Sequence, residues 1–167
     1  MHEMTNKDLT EAFAGESQAH MKYMIFSDVA AKEGKKNIAR LFKAIACAEQ
    51  IHATNHYRTM GEIKTTPENL QAGIDGEHYE VNEMYPAYIA VAEMQNEKVA
   101  LSAMKFAIEA EKVHAELYTK AKEAVDSGKD LEAKKIYICP VCGFISITGE
   151  EDNCPICKAK KELFKEY

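Results

Sequence analysis

Two stretches of the chain place a carboxylate and an imidazole three residues apart on helical faces that are otherwise apolar. In AIACAEQIHATNH, residues 44–56, Glu49 and His52 continue a stripe set by Ile38, Leu41, Phe42 and Ile45, and His56 follows one turn later. Glu111 and His114 repeat the spacing behind Leu101, Met104 and Ile108, with Tyr118 beyond. An ionised carboxylate among apolar side chains is costly unless it is paired. The spacing Glu-x-x-His lets both groups reach one object beside the helix, and the simplest such object is a metal ion. Buried salt bridges would be the alternative, but no inward lysine or arginine completes them.

The elements that must carry these groups follow from periodicity and punctuation. A first helix is expected from Thr5 or Asn6 as N-cap to about Lys32, stopped by Gly34, with Leu9, Phe13, Glu16, Tyr23 and Ala30 inward. A second runs from about Lys36 to Met60 and ends at Gly61. Thr66 can cap a third, with Pro67 at its first position, that turns Leu70, Ile74, Glu77, Val81, Met84, Tyr88 and Val91 inward. Glu80 lies one turn beyond Glu77, and Pro86 inside this helix predicts a bend. The fourth extends from about Glu97 to Ala124 and is closed by Asp126-Ser127-Gly128.

The halves are built on one plan. Gly15-Glu16 matches Gly76-Glu77 at an offset of 61, and Ala48-Glu49-x-x-His52-Ala53 matches Ala110-Glu111-x-x-His114-Ala115 at 62. Glu80 has no counterpart, because Ala19 stands in its place. One glutamate from each of two helices and a Glu-x-x-His from each of two others is the known ligand arrangement of ferritin-like di-iron and di-manganese carboxylate bundles. The expected fold is therefore mainly α, a ferritin-like four-helix bundle. Glu16, Glu49, Glu77, Glu80 and Glu111 bring five negative charges against four positive ones on two divalent metals. A donor set of carboxylate oxygens with two imidazoles suits iron or manganese. Glu49 and Glu111 are placed to bridge. Tyr23, Tyr85 and Tyr118 fall within two turns of ligand positions, as core aromatics or as donors to metal-bound oxygen. His56 reads as a supporting or bundle-end histidine, and His2, His20 and His78 have no metal case.

Cys139, Cys142, Cys154 and Cys157 form two C-P-x-C knuckles, whereas Cys47 stands alone beside the second helix's stripe and reads as a small core residue. The polar stretch 128–135 is a linker, which divides the chain into a bundle over 1–134 and a small metal-bound β/loop domain over 135–167. A piece of that size cannot fold on apolar burial alone and needs its metal. Four thiolates give a tetrahedral site, and spacing alone does not separate structural zinc from redox iron. An electron-transferring iron is the reading that makes sense beside a redox-active metal pair.

Composition excludes other roles. No run of 18 apolar residues is present to span a membrane, and the N-terminal MHEMTNKDLTEAF lacks the grammar of an export signal, so a cytoplasmic location is expected. The formal charge of −6 leaves 22 acids against 21 bases once the five site glutamates are set aside, with no basic patch for nucleic acid.

The whole chain resembles the rubrerythrins. The resemblance rests on Gly15-Glu16, on Glu49-x-x-His52, on Glu77-x-x-Glu80 running on to Met84-Tyr85-Pro86, on Glu111-x-x-His114, and on the rubredoxin-like stretches Tyr137-Ile138-Cys139-Pro140-Val141-Cys142-Gly143 and Cys154-Pro155-Ile156-Cys157. It implies two irons, which can carry a bridging oxide, held by Glu16, Glu49, His52, Glu77, Glu80, Glu111 and His114, and one iron on the four cysteines. It also implies a non-haem peroxidase that reduces hydrogen peroxide to water in oxidative-stress defence. Electrons would come from NAD(P)H through a reductase and a carrier such as rubredoxin. In this family the residues matching Glu80 and His52 exchange as ligands of one iron, which with Tyr23 and Tyr85 makes them the expected catalytic residues. The alternative function is a ferritin-type ferroxidase or iron store, which has no use for the cysteine module or for Glu80.

Assembly is constrained by reach. In a ferritin-like bundle the second and third helices run parallel, so the link between them must return along the bundle. Either residues 67–75 are not helical and serve as the crossover, or the first hairpin pairs with the second hairpin of another chain. The helix start at Thr66-Pro67 and the in-phase Leu70 and Ile74 favour exchange within a homodimer.

Overall fold

The computed structural model describes residues 1–167. Five α-helices, α1 (Glu3–Lys32), α2 (Lys36–Met60), α3 (Thr66–Tyr79), α4 (Tyr85–Met94) and α5 (Lys98–Asp126), precede three short strands, β1 (Tyr137–Ile138), β2 (Ile145–Ser146) and β3 (Lys165–Glu166). The chain is mainly helical, as its periodicity predicts. It divides into two compact units, Met1–Lys64 and Thr65–Tyr167.

The first unit is the α1/α2 hairpin. Its seam is made of small residues, Ser27, Ala30, Ala39, Ala46 and Ala53, which let the two helix backbones approach. Two polar ties cross it: the Ser27 hydroxyl donates to the Ala39 carbonyl at 2.9 Å, and His20 Nδ1 bonds the Ala46 carbonyl at 2.8 Å. Phe13 stacks on Tyr57 at 4.9 Å, and Tyr23, Phe26 and Phe42 form an aromatic cluster. Two helices alone cannot cover a wide stripe, however. Ile38, Leu41 and Ile45, expected inside, are 49%, 60% and 38% exposed on the hairpin. Cys47 is exposed too. It lies one residue past buried Ala46, a rotation of about 100° away from the seam, so the expectation of a core cysteine is corrected.

The helix ends follow the signals with two shifts. α1 begins at Glu3 behind an extended His2, with no side-chain cap, instead of at Thr5 or Asn6. The two polar residues are absorbed into the helix at a small propensity cost. α3 is capped by Thr65, one residue before the expected Thr66. Glu68 explains the choice: its carboxylate accepts from the Thr65 N–H at 3.1 Å and from the Thr65 hydroxyl, closing a capping box.

The second unit starts with α3, and the feature expected as a bend at Pro86 is a π-helical turn over Glu80–Met84. The Tyr85 N–H reaches the Glu80 carbonyl, five residues back. This turn accounts for the change of offset in the repeat. The turn ending α4 copies the one ending α1 at an offset of 62. Gln95 N–H bonds Val91 O as Glu33 N–H bonds Val29 O, both at 3.0 Å, and Asn96 (φ 56°) stands where Gly34 (φ 76°) does. Tyr85 matches Tyr23 at 62 as well, whereas Glu77 still matches Glu16 at 61. The additional residue therefore lies between Glu77 and Tyr85, where the widened turn is. Pro86, which has no N–H to donate and would crowd the carbonyl four residues back in a regular helix, follows directly.

α3 and α4 pack on α5 through Ile74, Ala92, Ala110 and Ala115. Gly73 admits the ring of Tyr118, since a Cβ there would lie 3.2 Å from it. In the cysteine region β1 is central, antiparallel to β2 with Ile138 opposite Ile145, and to β3 with Ile138 opposite Lys165. Cys139, Phe144 and Cys154 are its core, with Phe164 edge-on to Phe144 at 6.3 Å and Val113 of α5 packed against the cluster.

If the π turn is a one-residue insertion, excising Glu83 together with Pro86→Ala restores a regular helix. Circular dichroism is expected to show undiminished helicity and a Tm within a few degrees of the parent. Excising one residue from the matching stretch of α1, residues 19–23, has no such slack and should lower Tm by far more.

Candidate metal centres

The structure gathers three of the predicted ligands in each unit. Glu16, Glu49 and His52 bring ligand atoms within 4.8 Å of one another on α1 and α2, and Glu77, Glu111 and His114 do the same on α3 and α5. In the first set His52 Nδ1 lies 3.1 Å from Glu49 Oε2 and 3.8 Å from Glu16 Oε1. In the second, His114 Nδ1 is 2.5 Å from Glu111 Oε2. The two sets differ in cover. The His52 side chain is 54% exposed, whereas Glu111 and His114 are about as buried as Glu49. His52 was expected to point into a core, and the hairpin by itself leaves it on the surface.

Electrostatics in the second unit show what is missing. Burial first, then the charge and hydrogen bond of Glu111, push Glu77 up to about 7. Glu80 is also raised, by burial and then by Glu111. Three carboxylates thus crowd one place with no lysine or arginine among them, and only His114 offsets their charge, pulling Glu77 and Glu80 down against burial and Glu111. Tyr85 joins this group: burial, then Glu80, Glu111 and Glu77, raise its hydroxyl, which keeps its proton. Tyr85 and Glu80 therefore lie near Glu111. Tyr23 lies instead in the aromatic cluster of the α1/α2 hairpin, and Tyr118 packs on Gly73. His56 is half-buried and stands outside the close ligand set.

The four cysteine sulfurs also lie within 4.8 Å of one another, with Cys139 Sγ–Cys157 Sγ at 3.5 Å and Cys142 Sγ–Cys154 Sγ at 3.4 Å. A tetrahedral thiolate site with bonds of about 2.3 Å has edges of roughly 3.8 Å, so a small contraction of the bonds or expansion of the cage fits a metal. Both knuckles aim backbone donors at sulfur. Although burial opposes it, the N–H groups of Cys157 and Ile156 hold Cys154 below its ordinary value. Burial keeps Cys142 well above its own, against the N–H of Phe144. Metal ligation needs all four as thiolates.

One functional contact was not visible in the sequence. His114 Nε2 lies 3.0 Å from the carbonyl of Gly143, the residue after Cys142. With Nε2–H donating there, the Nδ1 lone pair is turned to the carboxylates, the way a carbonyl usually orients a ligating imidazole. Gly143 has φ +83°, and a Cβ on it would come 3.9 Å from Ala110 Cβ, so the knuckle lies close on α5. The glycine hinted at a left-handed turn, but nothing in the sequence named a partner 29 residues upstream.

Known proteins carry the same two parts in the same order. The rubrerythrin family matches residues 7–122, and the rubrerythrin rubredoxin-like domain matches residues 137–165. The chain belongs to the rubrerythrin family. It is 40% identical to rubrerythrin-2 of Clostridium acetobutylicum over 98% of this chain and 97% of the relative, and 37% identical to nigerythrin of Nitratidesulfovibrio vulgaris over 98% and 86%. The solved structure of nigerythrin in its fully reduced, all-ferrous state matches with a TM-score of 0.59 and 36% identity, covering 98% of this chain and 86% of that one. The ferritin-like fold read from the sequence is thereby shown, and the chain carries Glu/His candidates for a di-iron site and a four-cysteine rubredoxin-like cluster. No helix is long and apolar enough to cross a membrane.

The raised Glu77 fixes a pH dependence. Its proton is bound more tightly in the folded state than at the ordinary 4.5. Its contribution to metal-free stability is therefore full below about pH 4.5 and is lost as pH rises through about 7. Melts of metal-free protein should show wild type losing Tm relative to Glu77→Gln across that window, and saturating divalent metal should remove the difference.

Proposed function

We propose that this rubrerythrin is a non-haem di-iron peroxidase that reduces hydrogen peroxide to water, H2O2 + 2 H⁺ + 2 e⁻ → 2 H2O, in oxidative-stress defence in the cytoplasm. Glu16, Glu49, His52, Glu77, Glu80, Glu111 and His114 hold the iron pair, and Cys139, Cys142, Cys154 and Cys157 hold the single iron. When bound, the pair supplies the two electrons for O–O cleavage. The observation that carries this reading is the His114–Gly143 contact. A ligand of the di-metal centre hydrogen-bonds the chain one residue beyond a cysteine of the other site, so electrons entering at the thiolates have a short bonded route to the pair. An iron store gains nothing from such a connection. The two sites act as modules over 1–134 and 135–167, with the second as the port for a rubredoxin-like carrier and its NAD(P)H reductase.

The side chains divide the work. Glu80, at the start of the π turn where the first hairpin has Ala19, would make the two metal positions unequal, and with His52 would let a carboxylate serve the ferric state and an imidazole the ferrous one. Tyr85 keeps its proton beside Glu77, Glu80 and Glu111, so its hydroxyl can donate to peroxide oxygen and hold it in place. Burial, then the charge and hydrogen bond of Glu111, raise Glu77 to about 7 before metal binds. Tyr23, the repeat partner of Tyr85, is the matching hydroxyl of the first hairpin. The protein works as a homodimer.

Two substitutions test the assignment. Glu80→Ala should keep two metals bound and cut peroxide turnover by roughly 10–100-fold, the loss typical of removing one supporting group of a metal site; unchanged turnover would deny Glu80 its role. Cys142→Ser should leave a single oxidation of the pre-reduced pair by peroxide intact in stopped-flow absorbance, while NADH-coupled steady-state turnover falls to background. Normal coupled turnover in that variant would remove the cysteine site from the electron path.

A further inference from the structure

We infer that Glu151 lowers the reduction potential of the four-cysteine site, with Ser146 as the residue that holds its charge in place, so that the site passes its electron on rather than keeping it. The inference rests on the iron reading of that site and extends it to a residue that is not a ligand.

A tight turn places the carboxylate. β1 and β2 set Ser146 opposite Tyr137, two residues before Cys139, and Ser146 is only 4% exposed. Its oxygen accepts from the Gly149 N–H at 2.9 Å and the Thr148 N–H at 3.3 Å, and its hydroxyl donates to Glu151 Oε1 at 3.0 Å. Gly149 has φ +66°, and a Cβ on it would come 2.5 Å from the Tyr137 ring, so the turn lies directly on β1. The second carboxylate oxygen, Glu151 Oε2, is buried and has no partner. Lys161, which reaches the same turn, donates to the Gly149 carbonyl instead.

A buried carboxylate oxygen without donor or counter-charge is destabilising, and few native groups are left so. The position of Glu151 gives the reason. It stands three Cα steps before Cys154, at most about 11 Å away, and Cys154 is fully buried beside Cys139 and Phe144. Reduction by one electron from the carrier adds a negative charge to a cage of four thiolates that is negative already. A fixed carboxylate at this range opposes that step, and net charge and exposure are among the factors that set such potentials. At an effective dielectric constant of about 20, unit charges about 10 Å apart shift a one-electron equilibrium on the order of tenfold. A lower potential makes the site a stronger donor, which serves a relay and is useless to a structural clip. Glu150 beside it is exposed, so water and salt screen its charge and it serves as the control.

Potentiometric titration of the full chain reconstituted with ferrous iron, followed through the visible ferric-thiolate absorption, tests the assignment. Glu151→Gln keeps the shape and an oxygen for the Ser146 hydroxyl but removes the charge. It should favour the reduced state roughly tenfold, a rise of about 59 mV for one electron. Glu151→Asp keeps the charge and alters the shape, and its potential should stay close to wild type; Glu150→Gln should move it far less than Glu151→Gln. A purely structural role reverses the pattern, with Asp shifting the potential and Gln leaving it alone, and that result would overturn the proposal. Equal shifts from Glu150→Gln and Glu151→Gln would overturn it as well, since any charge on the domain would then do. Should Glu151→Gln fail to load iron, Ser146→Ala decides: releasing the carboxylate to water should raise the potential part of the way, and an unchanged potential would refute the role. Because iron is supplied in reconstitution, a chain isolated with zinc on its cysteines would count against the iron reading and leave the tuning result standing.

Discussion

Carboxylates gathered on apolar helical faces without a basic side chain among them are the constraint on which this molecule depends. Coulomb repulsion between like charges a few ångströms apart in a partly desolvated place is worth several kcal/mol at an effective dielectric constant of about 20. In the metal-free chain burial first, then the charge and hydrogen bond of Glu111, push Glu77 up to about 7. Two dications would relieve it better, because their four positive charges nearly match the five glutamates. The chemistry follows from that need: oxygen and imidazole ligands around two metals, one of them turned by a carbonyl and the other left on the surface of its hairpin.

The helices are built to serve the ligands before they serve packing. Both hairpins are closed by alanines, so their own seams bury little, and much of the large apolar surface is left on faces that lead to the ligands. Such a hairpin gains limited stability from its own contacts and more from another layer. The π turn is the one place where the second hairpin departs from the first. It costs regular hydrogen bonding at Glu80–Met84, and it begins at Glu80, the carboxylate that stands where the first hairpin has Ala19. π turns frequently occur at functional sites, and this one lies beside the Glu77, Glu111 and His114 cluster.

The cysteine region is joined to this plan through α5. Val113 enters its core, and the Gly143 carbonyl meets His114. A single imidazole thereby serves both sites, with Nδ1 toward the carboxylates and Nε2 toward the knuckle. A substitution at Gly143 would strain a left-handed turn and move the carbonyl that orients the ligand, although the residue touches no metal.

The sequence by itself determined the four-cysteine cluster, the duplication, α2 in full and the class of fold, and it named the Glu/His metal-site candidates, because those depend on local periodicity and residue type. It also contained the single-residue change of offset, but not its form: Pro86 pointed to a bend, and only the hydrogen bond from Tyr85 to Glu80 shows a π turn. Cap choice was decided by a reciprocal bond between Thr65 and Glu68 rather than by the proline beside them. Tertiary structure alone decided that Cys47 is exposed, that Ile38, Leu41, Ile45 and His52 stay uncovered on their hairpin, and that His114 meets Gly143. These are contacts, or missing contacts, between residues far apart in the chain. Helical period tells which face a residue is on, whereas what lies against that face depends on the layer that folds over it.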